Sequence, residues 1–409
     1  MNLIALAVPF FLFSLLLELF VDRWRGTEYY RSNDAINSIS AGILSESTKY
    51  FTRIVQYTIW GVVLGNLAVI EMQRDWFNSS VEGVLLWVLA AVLWDFCYYW
   101  NHRLGHEISI LWAAHAVHHQ SEEYNLSTAL RQTSSSFLFS WIFYVPLFLI
   151  GFPTDVIVSV GALNLIYQFW VHTRHIDRLG VLDRILVTPS NHRVHHAQNE
   201  GYIDKNYGGI FILWDRLFGT FTEESDDDPV IFGVRKPLAN WNPFWANFQV
   251  YNYLLFDARH TRRWQDKLGM WFRRTGWRPA DVEAAFPKPA VNLEEFEKYD
   301  PQISGTRRRY VIAQFLVAIA LAMLTADVFA SNGTQAVLVP CLLLWSILYT
   351  LGLLNEGRPY AARFELLRLV VVVPLGIYAM GGMLFALTPT ILLATATYSL
   401  GSLLWLRRN

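Results

Sequence analysis

Ten of the eleven histidines lie between His102 and His196, and their spacing suits metal ligation from helices. His102 and His106 stand four apart. His115, His118 and His119 are offset by three and four, and His192, His195 and His196 repeat that offset. Residues three and four apart share one helical face, so each cluster turns two or three imidazoles the same way. A lone histidine on an apolar face is usually a hydrogen-bonded core residue; three clusters of matched spacing need another explanation. With His172, at the end of an apolar run, nine imidazoles converge on one membrane face. A metal such as zinc is satisfied by about four protein ligands, so nine rings ask for two metals at four or five each. Neutral imidazole suits Zn, Cu, Fe and Ni alike, and softness leaves the metal open. A neutral ligand set beside a membrane favours iron redox chemistry over ion transport.

Two rival uses are weaker. Bis-histidine haem needs ligands on facing helices inside the bilayer, not adjacent pairs at helix ends. A histidine-rich metal transporter, the alternative from another functional class, would place ligands or carboxylates within the spans, where only Glu18 and Asp95 stand. Ligand imidazoles also need acceptors that fix their tautomers. Asp95, about two turns before His102, is the first candidate, with Asp183, Asp204 and Asp215 behind it. A carboxylate buried at Asp95 is costly enough to argue for a catalytic part. Glu107 alone is open: it could hold a ligand histidine, bond a cofactor, or be solvated.

The elements that must position these groups are membrane helices. Of 409 residues, 53% are hydrophobic and 16% charged, against roughly 25% charged in soluble domains. Aromatics reach 15%, with 17 tryptophans, as expected of a chain that meets membrane interfaces repeatedly. A net charge of −1 gives no reason to expect nucleic acid, and Cys97 and Cys341 provide neither a disulfide framework nor a thiolate metal site. At about 20 apolar residues per crossing, nine spans are expected: Leu3–Phe20, Phe51–Ile70, Val81–Trp100, Ser135–Phe152, Asp155–Val171, Tyr310–Ala330, Ala336–Leu354, Leu367–Leu387 and Ile391–Leu406. The first has no basic n-region or cleavage site and reads as a retained span. The fourth and fifth form a hairpin that either crosses or dips.

Arg23, Arg25, Arg31, Lys49, Arg53, Arg307–Arg309, Arg358, Arg363, Arg368 and Arg408 then fall on one side, which the positive-inside tendency makes cytoplasmic. The expected fold is thus all-α and multi-pass, with a cytoplasmic helical cap carrying a histidine-rich dimetal site. Its parts are N-terminal spans (1–80), the histidine core (81–225), a cytoplasmic or interfacial cap (226–306) and C-terminal spans (307–409). Tryptophans and arginines between Trp241 and Trp277 suggest an amphipathic helix at the interface.

The pattern His102-x3-His106, His115-x2-His118-His119 and His192-x2-His195-His196 resembles the histidine signature of the fatty acid hydroxylase/sterol desaturase superfamily. The stretches Asp95–Glu107, Ser121–Gln132, Asn191–His196, Asp204–Gly209 and Trp214–Phe221 are similar to its branch acting on alkylglycerols. The resemblance covers residues 85–225. It implies an integral membrane di-iron enzyme that uses O2 to hydroxylate lipid C–H bonds, here next to an ether oxygen, with a tetrahydropterin as reductant. A sterol or fatty-acyl hydroxylase or desaturase, with an electron-donor partner, is the alternative inside the superfamily.

By that resemblance His102, His106, His115, His118, His119, His172, His192, His195 and His196 are iron ligands, and Glu107 is associated with the pterin. Gln168 is a candidate tenth position. His175 reads as a loop residue and His260 as outside the site. Tyr124, Asn125, Arg131 and Tyr207 are expected at the mouth, and Phe137, Phe139, Trp141, Phe143 and Phe169 along a lipid route. The histidine side would face the cytoplasm from the inner membrane of a bacterium or the endoplasmic reticulum of a eukaryote.

Overall fold

The structure is a computed structural model that describes residues 3–382 and 384–407; Arg408 lies outside them. Among the described residues it is all-α, and β-type pairing is confined to isolated bridges such as Leu186 with Phe211. The chain divides into two compact units: Met1–Arg31, Arg53–Pro237 and Asn247–Glu297 form one, and Ser32–Thr52, Leu238–Ala246 and Lys298–Asn409 the other.

Among the described residues, four helices are long and apolar enough to cross a membrane: Val81–Glu107, Gly305–Asn332, Gln335–Asn355 and Pro389–Arg407. The first positions the site. Ser80 caps it by accepting the Gly83 N–H at 3.1 Å, and its 27 residues rise about 40 Å. That exceeds a hydrocarbon core of about 30 Å. The excess is the polar last turns, which carry His102 and His106.

The expected span Ser135–Phe152 is not a span-length helix. Helix covers only Trp141–Ile150, about 15 Å of rise, because Ser134–Ser140 adopts one 3-10 turn and irregular backbone. It turns at Gly151 (φ +113°), where a Cβ would run into the Ile70 carbonyl oxygen, and returns through Thr154–Trp170. The hairpin tip bonds to the segment after helix Ser32–Leu67, Val69 N–H to Leu149 C=O at 2.7 Å and Ile70 N–H to Ile150 C=O at 3.2 Å. Trp60, Phe77, Leu147, Phe148, Phe152 and Ile157 are buried together around it. The hairpin packs as a wedge against the 81–107 helix. The expected interfacial segment, Trp241–Trp277, holds the 18-residue helix Pro243–His260, the short helix Trp264–Gly269 and one 3-10 turn, Met270–Phe272; Trp264, Leu268 and Phe272 are exposed.

In the second unit Gly305–Asn332 packs on Leu338–Asn355 through Tyr310, Val311, Phe315, Leu344, Leu348 and Leu351. The expected span at Leu367–Leu387 begins earlier and stops sooner: helix runs from Ala361 to Met380 with a π-helical stretch at Arg368–Val372. Arg368 is fully buried there. It donates to both Glu365 oxygens, to Tyr398 Oη at 3.0 Å and to Gln314 Oε1 at 2.9 Å. A buried ion pair is tolerable only when its remaining hydrogen-bond capacity is met, and Tyr310 and Tyr398 complete the network. Removing one partner is expected to cost ~3–5 kcal/mol. Arg368→Met alone should therefore lower the unfolding midpoint in detergent sharply, whereas Arg368→Met with Glu365→Gln should recover most of the loss.

Candidate metal centre

Each histidine cluster is set at the end of a short structural device. His102 and His106 occupy the last turns of the 81–107 helix. His115 precedes the single turn Ala116–His119. His172 follows the 154–170 helix, and His192 and His195 lie on Pro189–His195, with His196 at its C-cap. Pro189 opens that helix, where its missing N–H is harmless. Arg193 locks it from between the histidines: its guanidinium makes a two-point pair with Glu224 at 2.8 and 2.7 Å and bonds the Ile176 carbonyl at 2.7 Å.

The nine rings fall into two groups. His102, His106, His115, His119 and His195 form one, and His118, His172, His192 and His196 the other; within each, the candidate ligand atoms lie within 4.8 Å of one another. Burial, reinforced by neighbouring imidazoles, holds His115, His119, His172, His192, His195 and His196 well below the ordinary imidazole pKa, and burial with the Arg131 charge brings His118 down to about 4. They are neutral at pH 7, the form that binds metal.

Hydrogen bonds fix the tautomers. His118 Nδ1 bonds the Arg131 carbonyl at 2.9 Å and His172 Nδ1 the Gln168 carbonyl at 2.7 Å. A carbonyl only accepts, so both Nδ1 atoms carry the proton and both Nε2 atoms present bare lone pairs. Those two lone pairs stand 3.3 Å apart, and no proton of either ring can bridge them. His102 and His195 follow the same rule, bonded through Nδ1 to the Tyr207 carbonyl at 2.8 Å and the Lys205 carbonyl at 3.0 Å. Their Nε2 atoms, and that of His106, are buried with no hydrogen-bond partner. Converging, unpaired, neutral nitrogens fit cations; five and four ligands fit two.

The carboxylates do not touch these rings, a departure from the expected direct contact. Asp95 accepts from Ile210 N–H at 2.7 Å, Phe211 N–H at 3.1 Å, Trp214 Nε1 at 2.9 Å and Asn164 Nδ2 at 2.7 Å. Asp215 accepts from Tyr207 N–H at 2.7 Å, Gly208 N–H at 2.8 Å and Thr220 Oγ1 at 2.7 Å, and burial pushes its carboxyl up to about 6. Asp183 binds the Thr188 hydroxyl that precedes Pro189–His195. Each holds backbone, and the backbone carbonyls hold the histidines. Asp204 and Asn206 take positive φ, tolerable for Asp and Asn, and so turn Lys205 and Tyr207 carbonyls toward His195 and His102. Gly209 passes so close to Asp95 that a Cβ would sit 2.6 Å from Oδ1.

Glu107 pairs with Arg103 at 2.9 Å and is about one-fifth exposed. Burial and the Glu107 charge both raise the neighbouring Asp204 carboxyl. The Gln168 side chain accepts from Tyr98 Oη at 2.7 Å and binds Asn164. His175 lies outside both groups, against Tyr29 and 3.9 Å from Asp22, and His260 bonds the Phe256 carbonyl at the end of Pro243–His260.

The residues expected at the mouth are buried instead. Tyr124 donates to the Val171 carbonyl and packs on His172 and His196. Asn125 caps a short helix, Arg131 clamps the Val117 carbonyl at 2.6 Å, and Tyr207 packs its ring 5.3 Å from His106. Of the five aromatics placed on a lipid route, only Phe139 lines the chamber beside the histidines; Phe169 stacks on Phe11. Sequence reasoning missed Arg193 and the four backbone carbonyls. The Arg between paired histidines was a visible signal; the carbonyls carry none.

All nine of these histidines fall within residues 87–220, the stretch that the fatty acid hydroxylase family model matches. Over 97% of this chain and 88% of the relative, the sequence is 37% identical to alkylglycerol monooxygenase of Danio rerio; the Homo sapiens protein of that name is 37% identical over 88% and 80%. The chain belongs to the alkylglycerol monooxygenase family. Ornithine lipid hydroxylase OlsE of Rhizobium tropici is 34% identical over 33% of the chain. No solved structure matches.

Two results would check the site. His118→Ala should drop metal content by about one ion per chain, while His260→Ala leaves it unchanged, by elemental analysis. Asp215→Asn, which keeps every ligand but loosens the Tyr207 backbone, should weaken metal retention ~10–100-fold in chelator competition.

Proposed function

We propose that this chain is a membrane-bound, O2-dependent lipid monooxygenase that cleaves the ether bond of alkylglycerols. The observation that carries the reading is the pair of buried histidine groups, five and four, in a member of this family. The metals are two irons, one held by His102, His106, His115, His119 and His195 and the other by His118, His172, His192 and His196. When bound, the pair supplies the redox chemistry that turns O2 against an inert C–H bond. A tetrahydropterin is the electron source, with Glu107 receiving its amino-pyrimidine edge.

The remaining work belongs to the chain. Neutral imidazoles offer ligand lone pairs without a prior proton loss, and the carbonyls of Arg131, Gln168, Lys205 and Tyr207 keep each ring's proton on Nδ1. Asp95 and Asp215 are positioning residues that hold the 207–214 backbone. Burial excludes water that would divert the oxidant. One oxygen atom of O2 enters the C–H bond beside the ether oxygen; the other leaves as water with two electrons and two protons from the reductant. The resulting hemiacetal passes its hydroxyl proton to the departing glycerol oxygen as the C–O bond breaks, releasing a fatty aldehyde and glycerol.

The ten-residue helix at Trp141–Ile150 supports a re-entrant hairpin over a crossing pair. Removing that pair from nine expected crossings leaves seven and does not change parity. The basic clusters stay on one side, and residues 81–225 and 226–306 form a catalytic core and cap facing the cytoplasm.

Purified, iron-loaded protein given an alkylglycerol, O2 and tetrahydropterin should release fatty aldehyde in step with O2 uptake. Full iron loading with no aldehyde would remove the ether-lipid assignment.

A further inference from the structure

A cavity of about 220 Å3 adjoins both histidine groups, with His102, His115 and His118 in its wall. Much of its lining is apolar: Trp94, Leu111, Phe139, Tyr144 and Leu165. Several polar wall residues already have partners. Tyr98 bonds Gln168 at 2.7 Å, and Thr133 is tied to Ser135 and Asn247.

Ser136 and Ser140 differ. They line the cavity one turn apart, linked by the Ser140 N–H to Ser136 carbonyl bond of 2.9 Å. Neither side-chain hydroxyl bonds another group among the described residues. Beside them Gln132 donates its amide to the Ala129 carbonyl at 3.2 Å, which leaves Oε1 as an acceptor. No Lys, Arg, Asp or Glu lines the cavity. A phosphate headgroup would find no counter-charge there, while a neutral headgroup with two hydroxyls would find two hydroxyls and a carbonyl to bond.

We propose that Ser136, Ser140 and Gln132 form the subsite for the two free hydroxyls of an uncharged glycerol headgroup. Held there, the headgroup sets the CH2 beside the ether oxygen against the histidine wall, and the alkyl tail lies along the apolar lining. The subsite rests on the alkylglycerol reading and narrows it to unphosphorylated ether lipids. A site built to bond a substrate hydroxyl discriminates against the analogue that lacks it, because its own polar groups are then left unpaired.

The test measures equilibrium binding to iron-loaded protein in nanodiscs under nitrogen, so that affinity is read without turnover. The ligands are radiolabelled 1-O-hexadecylglycerol, its one-hydroxyl analogue hexadecyl 2-hydroxyethyl ether, and the phosphorylated alkylglycerol. Wild type should prefer the diol over both others. Ser136→Ala with Ser140→Ala should weaken diol binding by ~100-fold, about tenfold per lost hydroxyl contact, and largely erase the preference over the one-hydroxyl ether. Ser140→Thr, which keeps a hydroxyl, should retain it. In aerobic assays the double variant should raise KM more than it lowers kcat. Unchanged diol affinity in the iron-replete double variant would overturn the subsite, as would equal loss for diol and one-hydroxyl ether, or wild-type preference for the phosphorylated lipid. Wild type that binds none of the three would remove the alkylglycerol reading and this subsite with it.

Discussion

Bare nitrogen lone pairs facing one another across about 3 Å are the constraint on which this structure turns. His118 and His172 each give their only proton to a carbonyl, and their Nε2 atoms then point at each other at 3.3 Å. His192 Nε2 lies 3.1 Å from His172 Nε2 and 3.2 Å from His196 Nε2. In water such rings would turn away or take up protons. Here burial opposes protonation, and the Arg131 and Gln168 carbonyls oppose rotation of His118 and His172. A cation at each focus would resolve both conflicts at once.

For four of the nine rings the restraint comes from a backbone carbonyl, and at Tyr207 the peptide that supplies it is itself held by a carboxylate. Asp215 fixes the Tyr207 and Gly208 amides, Tyr207 fixes His102, and Asp95 fixes the strand of backbone that continues to Trp214. A carboxylate placed directly on an imidazole would draw its proton and raise its pKa. A carbonyl orients the ring with no net charge. Nine neutral ligands beside a bilayer are easier to bury when the negative charges stand one bond further out and are met by N–H donors.

How far the sequence could be read follows from this layering. Of the clustered histidines, the pairs four apart (His102–His106, His115–His119, His192–His196) stay within one group, while His118 and His195 cross to the other, so the total of nine could be counted in the sequence but not its division. The 81–107 helix was legible from its apolar run. What could not be read was anything carried by main chain: the carbonyls of Lys205 and Tyr207 depend on positive φ at Asp204 and Asn206, not on side-chain identity. The Ser135–Phe152 stretch misled for a different reason. Its apolar residues face lipid and hairpin core alike, so composition gave a span although the polar 132–136 segment and the turn at Gly151 leave only ten residues in helix. At Leu367–Leu387 a buried Arg368 interrupted the apolar pattern, and its partners Glu365, Gln314 and Tyr398 come from distant positions that no local window joins.

The short hairpin and the long helix make one device. A 27-residue helix carries His102 and His106 past the apolar layer, while a ten-residue helix stops beside it and returns. The pair therefore differ in height, and the chain between them, residues 108–140, has to fold back over the step. That chain supplies His115, His118 and His119 to the two groups and then Gln132, Ser136 and Ser140 to the cavity. These three histidines and the polar cavity wall thus lie on one stretch of chain, which Arg131 ties back to the Val117 carbonyl. A lipid whose reactive carbon lies three bonds from its nearest hydroxyl-bearing carbon suits such an arrangement: the oxidising centre close to the headgroup contacts, and the tail left on the apolar side.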